Sequence, residues 1–406
     1  MRIPFTRKHV SVGQLFSKYL FPMVASTVVE FTALRPSRRS SGEIVLFGHD
    51  LNGNLAAFDR YLAGRDDAPR VVFMTDSAQT YARETAAGRR ILYSARISHL
   101  YRVAKAAVVV TSHGPINLFR WPKRAHRPVF VDVWHGVGYK TDPQTLASMT
   151  SYDAHFVASP LLHDLHVSFG LPEPLNRITG YARTDELATL DLTAQQRSDI
   201  LAAYGLDPAE QRTIVLYAPT WNHHTPGDIF PFGMTDAEFL APLDDLATEL
   251  GVLFLVRLHL NTQLDLDESA YRNVRLVSAR LYPATEPLLK VADVLLTDWS
   301  SIVSEYLTVQ RPIIFIDKPL PFDGAVQPLS RDDRPGAIVA EFDGEAGLTA
   351  ALTLAASSPD AYLERYGAAI ASTTERAWGD TLDGRSAERY LAEISRLLEL
   401  RGASGR

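Results

Sequence analysis

The 406-residue sequence contains no cysteine. Disulfide bridges, thiolate metal ligands and cysteine nucleophiles are therefore excluded, and nothing in the chain requires an oxidising compartment. The sequence also lacks an uninterrupted apolar run of about 20 residues that could span a bilayer, and it lacks the small-residue cleavage site of a signal peptide. These absences predict a protein of the cytoplasm.

The chain as a whole has no excess of positive charge, because 47 acidic residues outnumber 41 lysine and arginine residues and the formal net charge is −6. General nucleic-acid binders use a basic surface to displace the counterions of phosphate groups. We therefore expect no nucleic acid among the partners, and any contact with phosphate must be made by a few local residues.

Residues 1–40 are the exception, because seven basic residues stand against one acidic residue, Glu30, and the net charge of the segment is +6. Lys18, Pro22 and Glu30 interrupt its apolar middle. The pattern predicts an amphipathic helix that either lies on an anionic membrane surface, where each basic residue contributes about 1 kcal/mol, or packs on the neighbouring domain. In the first case the protein would be peripheral on the inner face of the cell membrane.

Short apolar runs alternate with helix-length segments from residue 41 onward. EIVLFG, RVVFMT, AAVVVTS and PVFVDVW form one series, and TIVLYAP, GVLFLVRLHL, NVRLVS, DVLLTDWSS and PIIFIDK form a second. Buried strands separated by helices indicate parallel sheets, and the chain is longer than a single core usually allows. We therefore predict an α/β protein with two Rossmann-like domains that face each other across a cleft, the GT-B arrangement.

The predicted boundaries divide the chain into four parts. A basic amphipathic segment (1–40) is followed by the first Rossmann-like domain (41–184), the second (185–380) and a C-terminal helix (381–406). In parallel α/β sheets, ligands bind at the carboxyl ends of the strands. Polar residues at those ends are therefore the candidate site residues.

The strand VFVDVW is followed by HGVGYK, which contains His135, Gly136 and Lys140. A histidine with an ordinary pKa near ~6.5 can accept a proton at neutral pH, and glycine lets a substrate approach the backbone closely. His135 is thus a candidate general base. A histidine that makes a hydrogen bond in a tight turn would show the same pattern.

Two strands of the second series also end in polar residues. Pro219 and Thr220 follow the first of these strands in the motif YAPTWN, and Arg257 and His259 lie at the end of the second, LFLVRLHL. Residues two apart in a strand share a face, so this arginine and this histidine could meet one anion together. A structural carboxylate would also satisfy the buried arginine.

The strand VLLT leads through Thr297, Asp298, Ser300 and Ser301 into a helix. The unpaired N–H groups of a helix N-terminus favour a pyrophosphate, while serine at this position can also be an ordinary N-cap. Glu305 lies one turn further on the same face as Ser301 and could bind ribose hydroxyls.

In the first series, GHDLNGN places His49, Asn52 and Asn54 between the first strand and its helix. This turn lies on the ligand side of a parallel sheet, so the three residues are candidates for substrate binding. Asn-Gly-Asn is also an ordinary turn in which asparagine caps the following helix.

The motifs WHG with a following lysine, GYARTDEL, YAPTWN, RLH and LLTDWSSIVSEYLTVQRPIIF occur in this order. Together they resemble the CDP-glycerol glycerophosphotransferases, which build teichoic-acid and related polyol-phosphate chains. The resemblance implies a CDP-alcohol donor on the second domain, a lipid-linked or polymeric acceptor on the first, release of CMP, and neither a cofactor nor a metal.

The resemblance and the strand-end positions together assign roles to individual residues. His135 and His259 are the catalytic candidates. The residues expected to bind the donor are Pro219, Thr220, Arg257, Thr297, Asp298, Ser300, Ser301 and Glu305. The residues expected to bind the acceptor are His49, Asn52, Asn54, Gly136, Lys140 and Arg183.

Some positions depart from the family pattern. Ala182 and Leu260 stand where proline is usual, Ser304 where an aromatic residue is usual, and Glu305 where aspartate is usual. Ribitol phosphate or a sugar phosphate therefore remains open as the transferred group. So do a glycosyltransferase that uses a nucleotide sugar, and a non-catalytic nucleotide-binding or scaffold protein.

Two patterns could suggest a metal site. His163 and His166 are spaced to share a helix face, but no third ligand is evident, and we interpret them as part of a solvated helix face. Asp265 and Asp267 form an acidic pattern with no strand leading into it. We therefore predict no metal site.

Overall fold

The computed structural model describes residues 21–35, 40–112, 118, 121–134, 136, 150–188, 192–220, 230–258, 267–279, 281–319 and 333–404. Within these ranges, two parallel sheets with flanking helices form two α/β domains. The predicted α/β class with two Rossmann-like domains is thereby confirmed.

The first sheet has seven parallel strands within the described ranges, in the order β3-β2-β1-β4-β5-β6-β7. Its central strands are runs of valine, isoleucine and phenylalanine that are buried because helices cover both faces. The strands are β1 (Ile44–Gly48), β2 (Val71–Thr75), β3 (Leu92–Tyr93), β4 (Val108–Thr111), β5 (Val129–Asp132), β6 (Ala154–Val157) and β7 (Asn176–Ile178). The accompanying helices are α1 (Phe21–Ala33), α2 (Gly53–Ala63), α3 (Ala78–Ala86), α4 (Ile97–Ala104), α5 (Pro160–Ser168) and α6 (Ala182–Ala188).

The second sheet has six parallel strands in the part of the chain that is described, in the order β10-β9-β8-β11-β12-β13. These strands are β8 (Thr213–Ala218), β9 (Val252–Val256), β10 (Val274–Leu276), β11 (Val294–Thr297), β12 (Ile313–Ile316) and β13 (Ala337–Val339). The helices that follow α6 are α7 (Ala194–Ala203), α8 (Asp236–Leu250), α9 (Glu286–Val291), α10 (Ile302–Leu307), α11 (Leu348–Ser357), α12 (Pro359–Trp378) and α13 (Ser386–Ser404).

Each sheet contains one point at which the strand order reverses. The strand β1 pairs with β2 on one side and β4 on the other, and β8 pairs likewise with β9 and β11. Crossover connections diverge at such a point, so a crevice opens at the carboxyl ends of these strands.

The C-terminal helix α13 packs on the first sheet, although it follows the second sheet in the chain. Its Tyr390 is buried there, with the ring centre 5.6 Å from that of Phe58 and 5.0 Å from that of Phe156. Near the end of the helix, Arg401 donates a hydrogen bond of 2.8 Å to Asp153 Oδ1. The chain therefore crosses between the two domains twice.

Helix α1 packs one face against the first domain. Val29 is fully buried, the Ser26 carbonyl oxygen accepts a hydrogen bond from Trp121 Nε1 (3.2 Å), and the buried Glu30 pairs with Arg124. Residues 21–33 are thus part of the domain and not a detached segment.

The opposite face of α1 is apolar and exposed. Phe21, Val24, Val28 and Phe31 recur there at helical spacing, and each exposes between 42% and 56% of its surface. None of the helices in the described ranges combines the length and the apolar character that a bilayer crossing requires.

Candidate functional site

A cleft of about 470 Å³ lies between the two domains. Its lining comes from the segments after β1, β4, β5 and β7 in the first domain and after β8, β9, β10 and β11 in the second. Among these, β1, β4, β8 and β11 are the strands at the two reversal points. The volume is typical of a small-molecule site. The predicted site residues that line it are Asn52, Asn54, Arg183, Pro219, Thr220, Arg257, Ser300, Ser301 and Glu305.

The other predicted residues fall into two groups. Four are described but do not line the cleft: His49, Gly136, Thr297 and Asp298. Three lie outside the described residues: His135, Lys140 and His259. The roles given to these three stay predictions.

Asn54 connects three segments of the first domain. Its side-chain Nδ2 donates hydrogen bonds to the carbonyl oxygens of Val133 (3.0 Å) and Trp134 (3.2 Å), and its Oδ1 accepts one from the Arg183 backbone N–H (3.2 Å). The side chain is buried. The N-cap of α2 is Asn52, which makes no side-chain capping bond. As placed, Asn54 positions the walls of the cleft, and its contact with an acceptor stays a prediction.

Trp134 stands directly before His135 in an uncommon backbone conformation, with φ at +49°. The buried Asp132 supports it, because Oδ1 accepts a hydrogen bond from the Trp134 backbone N–H (2.8 Å) while Oδ2 accepts one from Thr111 Oγ1 (2.6 Å). The strand therefore turns sharply before His135. Sequence reasoning missed Asp132, although a carboxylate inside an apolar strand was a signal.

His166 of α5 lies against Trp134, with ring centres 5.6 Å apart and ring planes at 75°. The residue is 1% exposed, so the interpretation of this position as a solvated helix face was wrong. Burial, together with smaller contributions from the nearby His155 and His163, lowers the pKa of His166 to about 4. The imidazole is therefore neutral at pH 7 and serves as packing under the turn.

No group of three or more histidine, aspartate or glutamate side chains among the described residues is arranged to hold a metal ion. Asp265 lies outside those residues. Asp267 caps the short 3₁₀ turn Glu268–Ala270 by accepting a hydrogen bond from the Ser269 backbone N–H (3.1 Å).

Arg257 holds a loop of its own domain. Its guanidinium donates hydrogen bonds to the carbonyl oxygens of Val277 (2.9 Å), Tyr282 (2.6 Å) and Ala284 (3.0 Å) and to Thr285 Oγ1 (3.0 Å). Burial lowers the pKa of this arginine. Backbone carbonyls thus take the place of the carboxylate that could have satisfied it, and contact with the donor phosphate stays a prediction.

Asp298 joins the ends of β8 and β11. Its Oδ1 accepts hydrogen bonds from both the backbone N–H (2.7 Å) and the hydroxyl group (2.6 Å) of Thr220. Beside it, Thr297 Oγ1 donates to the Ala218 carbonyl oxygen (2.7 Å). Both Thr297 and Asp298 are buried beneath the second-domain wall of the cleft, and their contact with a donor stays a prediction.

Ser301 faces the first domain across the cleft. A Cβ built on Gly136 would lie 3.9 Å from Ser301 Oγ and 3.9 Å from Arg183 Nη2. Ser301 makes no side-chain capping bond to α10. The backbone beside His135, the Ser301 hydroxyl and the Arg183 guanidinium therefore surround one small space.

Arg183 and Glu305 form an ion pair between the domains. Burial raises the pKa of Glu305, Arg183 opposes this, and Glu286 adds to it, so the pKa lies above its ordinary value. Glu305 also accepts a hydrogen bond from Ser304 Oγ (3.2 Å). As placed, this carboxylate faces Arg183, and its predicted contact with ribose hydroxyls stays a prediction.

His49 lies after β1, beside the cleft. Its Nδ1 is 3.1 Å from Asp76 Oδ1, and half of its side chain is exposed. Next to it, Asp50 Oδ1 accepts hydrogen bonds from Thr80 Oγ1 (2.7 Å) and from Arg83 (2.9 Å). A polar surface thus continues from the cleft over the ends of β1 and β2.

Comparison with known proteins adds independent findings. The family model for CDP-Glycerol:Poly(glycerophosphate) glycerophosphotransferase matches residues 35–394. The chain is 24% identical over 394 residues to the teichoic acid ribitol-phosphate polymerase TarK of Staphylococcus aureus, which covers 91% of this chain and 71% of that protein.

Two other relatives match over shorter stretches. Identity to the teichoic acid poly(glycerol phosphate) polymerase of Staphylococcus epidermidis is 30% over 138 residues, covering 34% of this chain and only 18% of that protein. Identity to the teichoic acid ribitol-phosphate primase of Bacillus spizizenii is 24% over 241 residues, covering 53% of this chain and 58% of that protein.

Solved structures share the fold. The wall teichoic acid polymerase TagF superposes with a TM-score of 0.73 at 19% identity, covering 94% of each chain. A UDP-GlcNAc 2-epimerase from Neisseria meningitidis superposes with a TM-score of 0.53 at 13% identity, covering 87% of this chain and 99% of that one. Identities this low establish the arrangement of the two domains and nothing about substrates.

Proposed function

The chain belongs to the CDP-glycerol:poly(glycerophosphate) glycerophosphotransferase family, and on this premise we propose that it transfers a polyol-phosphate unit from a CDP-alcohol to a hydroxyl group of a cell-wall or capsule polymer. The observation that carries the proposal is the family match over residues 35–394, a range that includes every residue lining the cleft. Glycerol phosphate is the expected unit, with ribitol phosphate as the alternative that two of the relatives suggest.

The proposed reaction is an in-line displacement at the β-phosphorus of the donor. The acceptor oxygen bonds to this phosphorus, the bond from the phosphorus to the bridging oxygen breaks, and CMP leaves with the bonding electrons. His135 takes the proton of the acceptor hydroxyl. Phosphoryl transfer depends mostly on alignment and on charge neutralisation, which a cleft between two domains can supply.

The residues on either side of His135 support its role as the base. Trp134 is held by Asp132 and Asn54, and Gly136 faces Ser301 of the other domain. We propose that His135, which lies between these two residues in the sequence, acts on the acceptor hydroxyl.

We assign the donor pyrophosphate to the space bounded by Ser300, Ser301 and the Arg183 guanidinium. Arg183 and Arg257 are the cations that line the cleft within the described ranges. Both are already engaged within the protein, Arg257 with loop carbonyls and Arg183 with Glu305. We prefer Arg183 because its Nη2 borders the same small space as Ser301 Oγ. His259 remains the second candidate for phosphate contact.

We also propose that α1 rests on an anionic membrane surface, where a lipid-linked acceptor would be found. The exposed apolar residues Phe21, Val24, Val28 and Phe31 and the +6 charge of residues 1–40 support this partner. Apolar insertion and attraction to anionic lipid reinforce each other for such a helix.

The test of the reaction is to incubate the purified protein and a polyol-phosphate acceptor with CDP-glycerol, CDP-ribitol and a nucleotide sugar in turn. CMP release together with a new phosphodiester bond is the expected result. A glycosidic product from the nucleotide sugar would contradict the proposal. Nucleotide binding without turnover of any donor would favour a non-catalytic protein.

The His135→Ala variant tests the assignment of the base. We expect CMP release to fall by about 10²- to 10⁴-fold, while calorimetry shows nearly unchanged affinity for the CDP-alcohol. His126→Ala is the matched control, because His126 is exposed and lies away from the cleft. Activity of His135→Ala within a few-fold of the wild type would remove this histidine from the mechanism.

A further inference from the structure

Glu286 is a carboxylate in the cleft that the proposed reaction leaves without a role. It begins α9 and lines the cleft from the second domain. Its Oε2 accepts a hydrogen bond from the Thr285 backbone N–H (3.1 Å), which fixes the side chain. Its Oε1 accepts no hydrogen bond from the residues that the structure describes, although its charge interacts with that of Arg183, so this oxygen can still accept a hydrogen bond from a ligand.

The available oxygen points toward the first domain. A Cβ built on Gly53 would lie 3.9 Å from Glu286 Oε1 and 3.7 Å from Arg183 Nη1. Gly53 itself has φ at +52° and begins α2 of the first domain. Glu286 therefore reaches the gap between the two domains and does not stay against the wall of its own domain.

The loop before Glu286 is built to hold it in this place. Arg257 donates hydrogen bonds to the carbonyl oxygens of Tyr282 and Ala284 and to the hydroxyl group of Thr285. A buried guanidinium is costly unless its donors are satisfied, so these contacts strongly favour one loop conformation. Arg257 is thus a positioning residue for Glu286.

The chemistry of the cleft limits what this oxygen can bind. A negatively charged phosphate oxygen within hydrogen-bonding distance of the Glu286 carboxylate would be repelled by it. A hydroxyl group donates its hydrogen to a carboxylate in a charge-assisted bond that is roughly twice as strong as a neutral one. The ligand group that suits Glu286 is therefore a hydroxyl and not a phosphate.

Two sets of hydroxyls occur on a CDP-alcohol, those of the ribose and those of the alcohol. The nucleotide of a doubly wound protein lies against the strand ends of the domain that binds it. The transferred group must instead lie between the domains, where the acceptor attacks. Because Glu286 Oε1 faces Gly53 of the opposite domain, it lies on the side of the alcohol.

On the basis of the proposed function, we propose that Glu286 binds hydroxyl groups of the alcohol carried by the donor and thereby helps to select which CDP-alcohol is used. A polyol with more hydroxyls would gain from this contact only if one of them reaches Oε1. The residue is thus a determinant of alcohol specificity.

The Glu286→Gln variant tests this role through binding alone. Glutamine keeps the size of the side chain but removes the charge, so the hydrogen bond to the alcohol weakens while repulsion of phosphate is relieved. We expect calorimetry to show about tenfold weaker binding of the preferred CDP-alcohol. Binding of CDP and CMP, which carry no alcohol, should be unchanged or tighter.

Glu286→Asp is a second variant, which changes the position of the carboxylate instead of its charge. Aspartate keeps the negative charge, but its side chain is one methylene group shorter and the oxygen lies further from the alcohol. The affinity for the CDP-alcohol should therefore fall, while the affinity for CDP should not rise. Glu249→Gln is the matched control, because Glu249 is exposed and does not line the cleft. The ratio of kcat/KM for CDP-glycerol to that for CDP-ribitol should change in both Glu286 variants and stay constant in the control.

The outcomes separate this inference from the proposed function. If the wild type releases no CMP from any CDP-alcohol, the proposed function fails. If the wild type is active but both Glu286 variants lose CDP, CMP and CDP-alcohol binding equally, or lose none, Glu286 does not read the alcohol. A rise in the acceptor KM alone, with donor affinity unchanged, would assign the residue to the acceptor and overturn the inference.

Discussion

The buried side chain of Asn54 donates a hydrogen bond to the Trp134 carbonyl oxygen (3.2 Å), although the two residues are 80 positions apart in the chain. Trp134 directly precedes His135, the candidate base. Through its other contacts, Asn54 also holds Val133 and the backbone of Arg183. One side chain from the first turn of α2 thus positions two segments that meet in the cleft.

Asn54→Ala should lower both stability and activity. The substitution removes three side-chain hydrogen bonds to the backbone of Val133, Trp134 and Arg183, which costs about 1–3 kcal/mol in unfolding free energy. Urea unfolding and CMP release measure the two effects. For the unfolding measurement the control is Asn52→Ala, since Asn52 makes no side-chain capping bond. An equal loss of unfolding free energy in the two variants would show that the contacts of Asn54 do not stabilise the fold.

Gly136→Ala should fold normally but lose activity. Among the described residues, the new methyl group would have no neighbour closer than 3.8 Å, so none of them has to move, yet it would fill the space between Ser301 and Arg183 where we assign phosphate. Thermal unfolding should be unchanged, while kcat/KM for CMP release should fall at least about tenfold, as misplacement of reacting groups implies.

The control for this substitution is Gly64→Ala, because Gly64 lies at the end of α2 and a Cβ there would meet its nearest atoms at 3.7 Å. Full activity of Gly136→Ala would mean that the reacting phosphate passes elsewhere in the cleft.

His166 should make the protein less stable in acid. Burial lowers its pKa to about 4 in the folded state, whereas in the unfolded chain it is near ~6.5. Below that higher value the unfolded state binds the proton first, so stability falls by up to about 3 kcal/mol as the pH drops from about 6.5 to about 4. Above pH 6.5 this contribution is constant.

Urea unfolding of wild type and His166→Phe between pH 7 and pH 4.5 measures the effect. The variant should show a shallower loss of stability on acidification, and the exposed His126→Gln control should keep the wild-type slope. Parallel curves for wild type and His166→Phe would show that another group governs the acid sensitivity.

Val24→Ser combined with Val28→Ser should release the protein from anionic vesicles. Both side chains are on the exposed face of α1, so the fold should be retained while apolar insertion is lost. Vesicle co-sedimentation at two salt concentrations measures the binding, which should weaken in high salt because screening shortens the reach of the basic residues.

Leu400→Ser is the control for this face, since Leu400 is equally exposed but lies on α13. Deletion of residues 1–40 is a poorer test, because it would remove Val29 from the core and leave the buried side of Arg124 without Glu30. Unchanged sedimentation of the double variant would leave α1 as a packing helix only.

The predictable part of the fold lies in its long apolar runs. Each of the nine runs identified in the sequence contains one of the described strands, because a strand buried on both faces must be apolar throughout. The strands that were missed are β3, β6, β7 and β13, of two to four residues each. Each of them forms by pairing with a neighbouring strand of its sheet, which the local sequence does not show.

The sequence by itself determined the two parallel sheets, the polar residue types at the strand ends and the order of the motifs. The tertiary structure decided which of those polar groups face a ligand and which support the walls of the cleft. The side chains of Asn54 and Asp298 form hydrogen bonds with segments about 80 positions away in the chain. The Arg257 side chain binds the carbonyl oxygens of a loop. Glu286, which belongs to none of the sequence motifs, lines the cleft between the domains. A hydrogen-bonding group contacts whatever the fold places within about 3 Å of it. For Asn54 and Asp298 those partners come from distant segments of the chain, which no local pattern encodes.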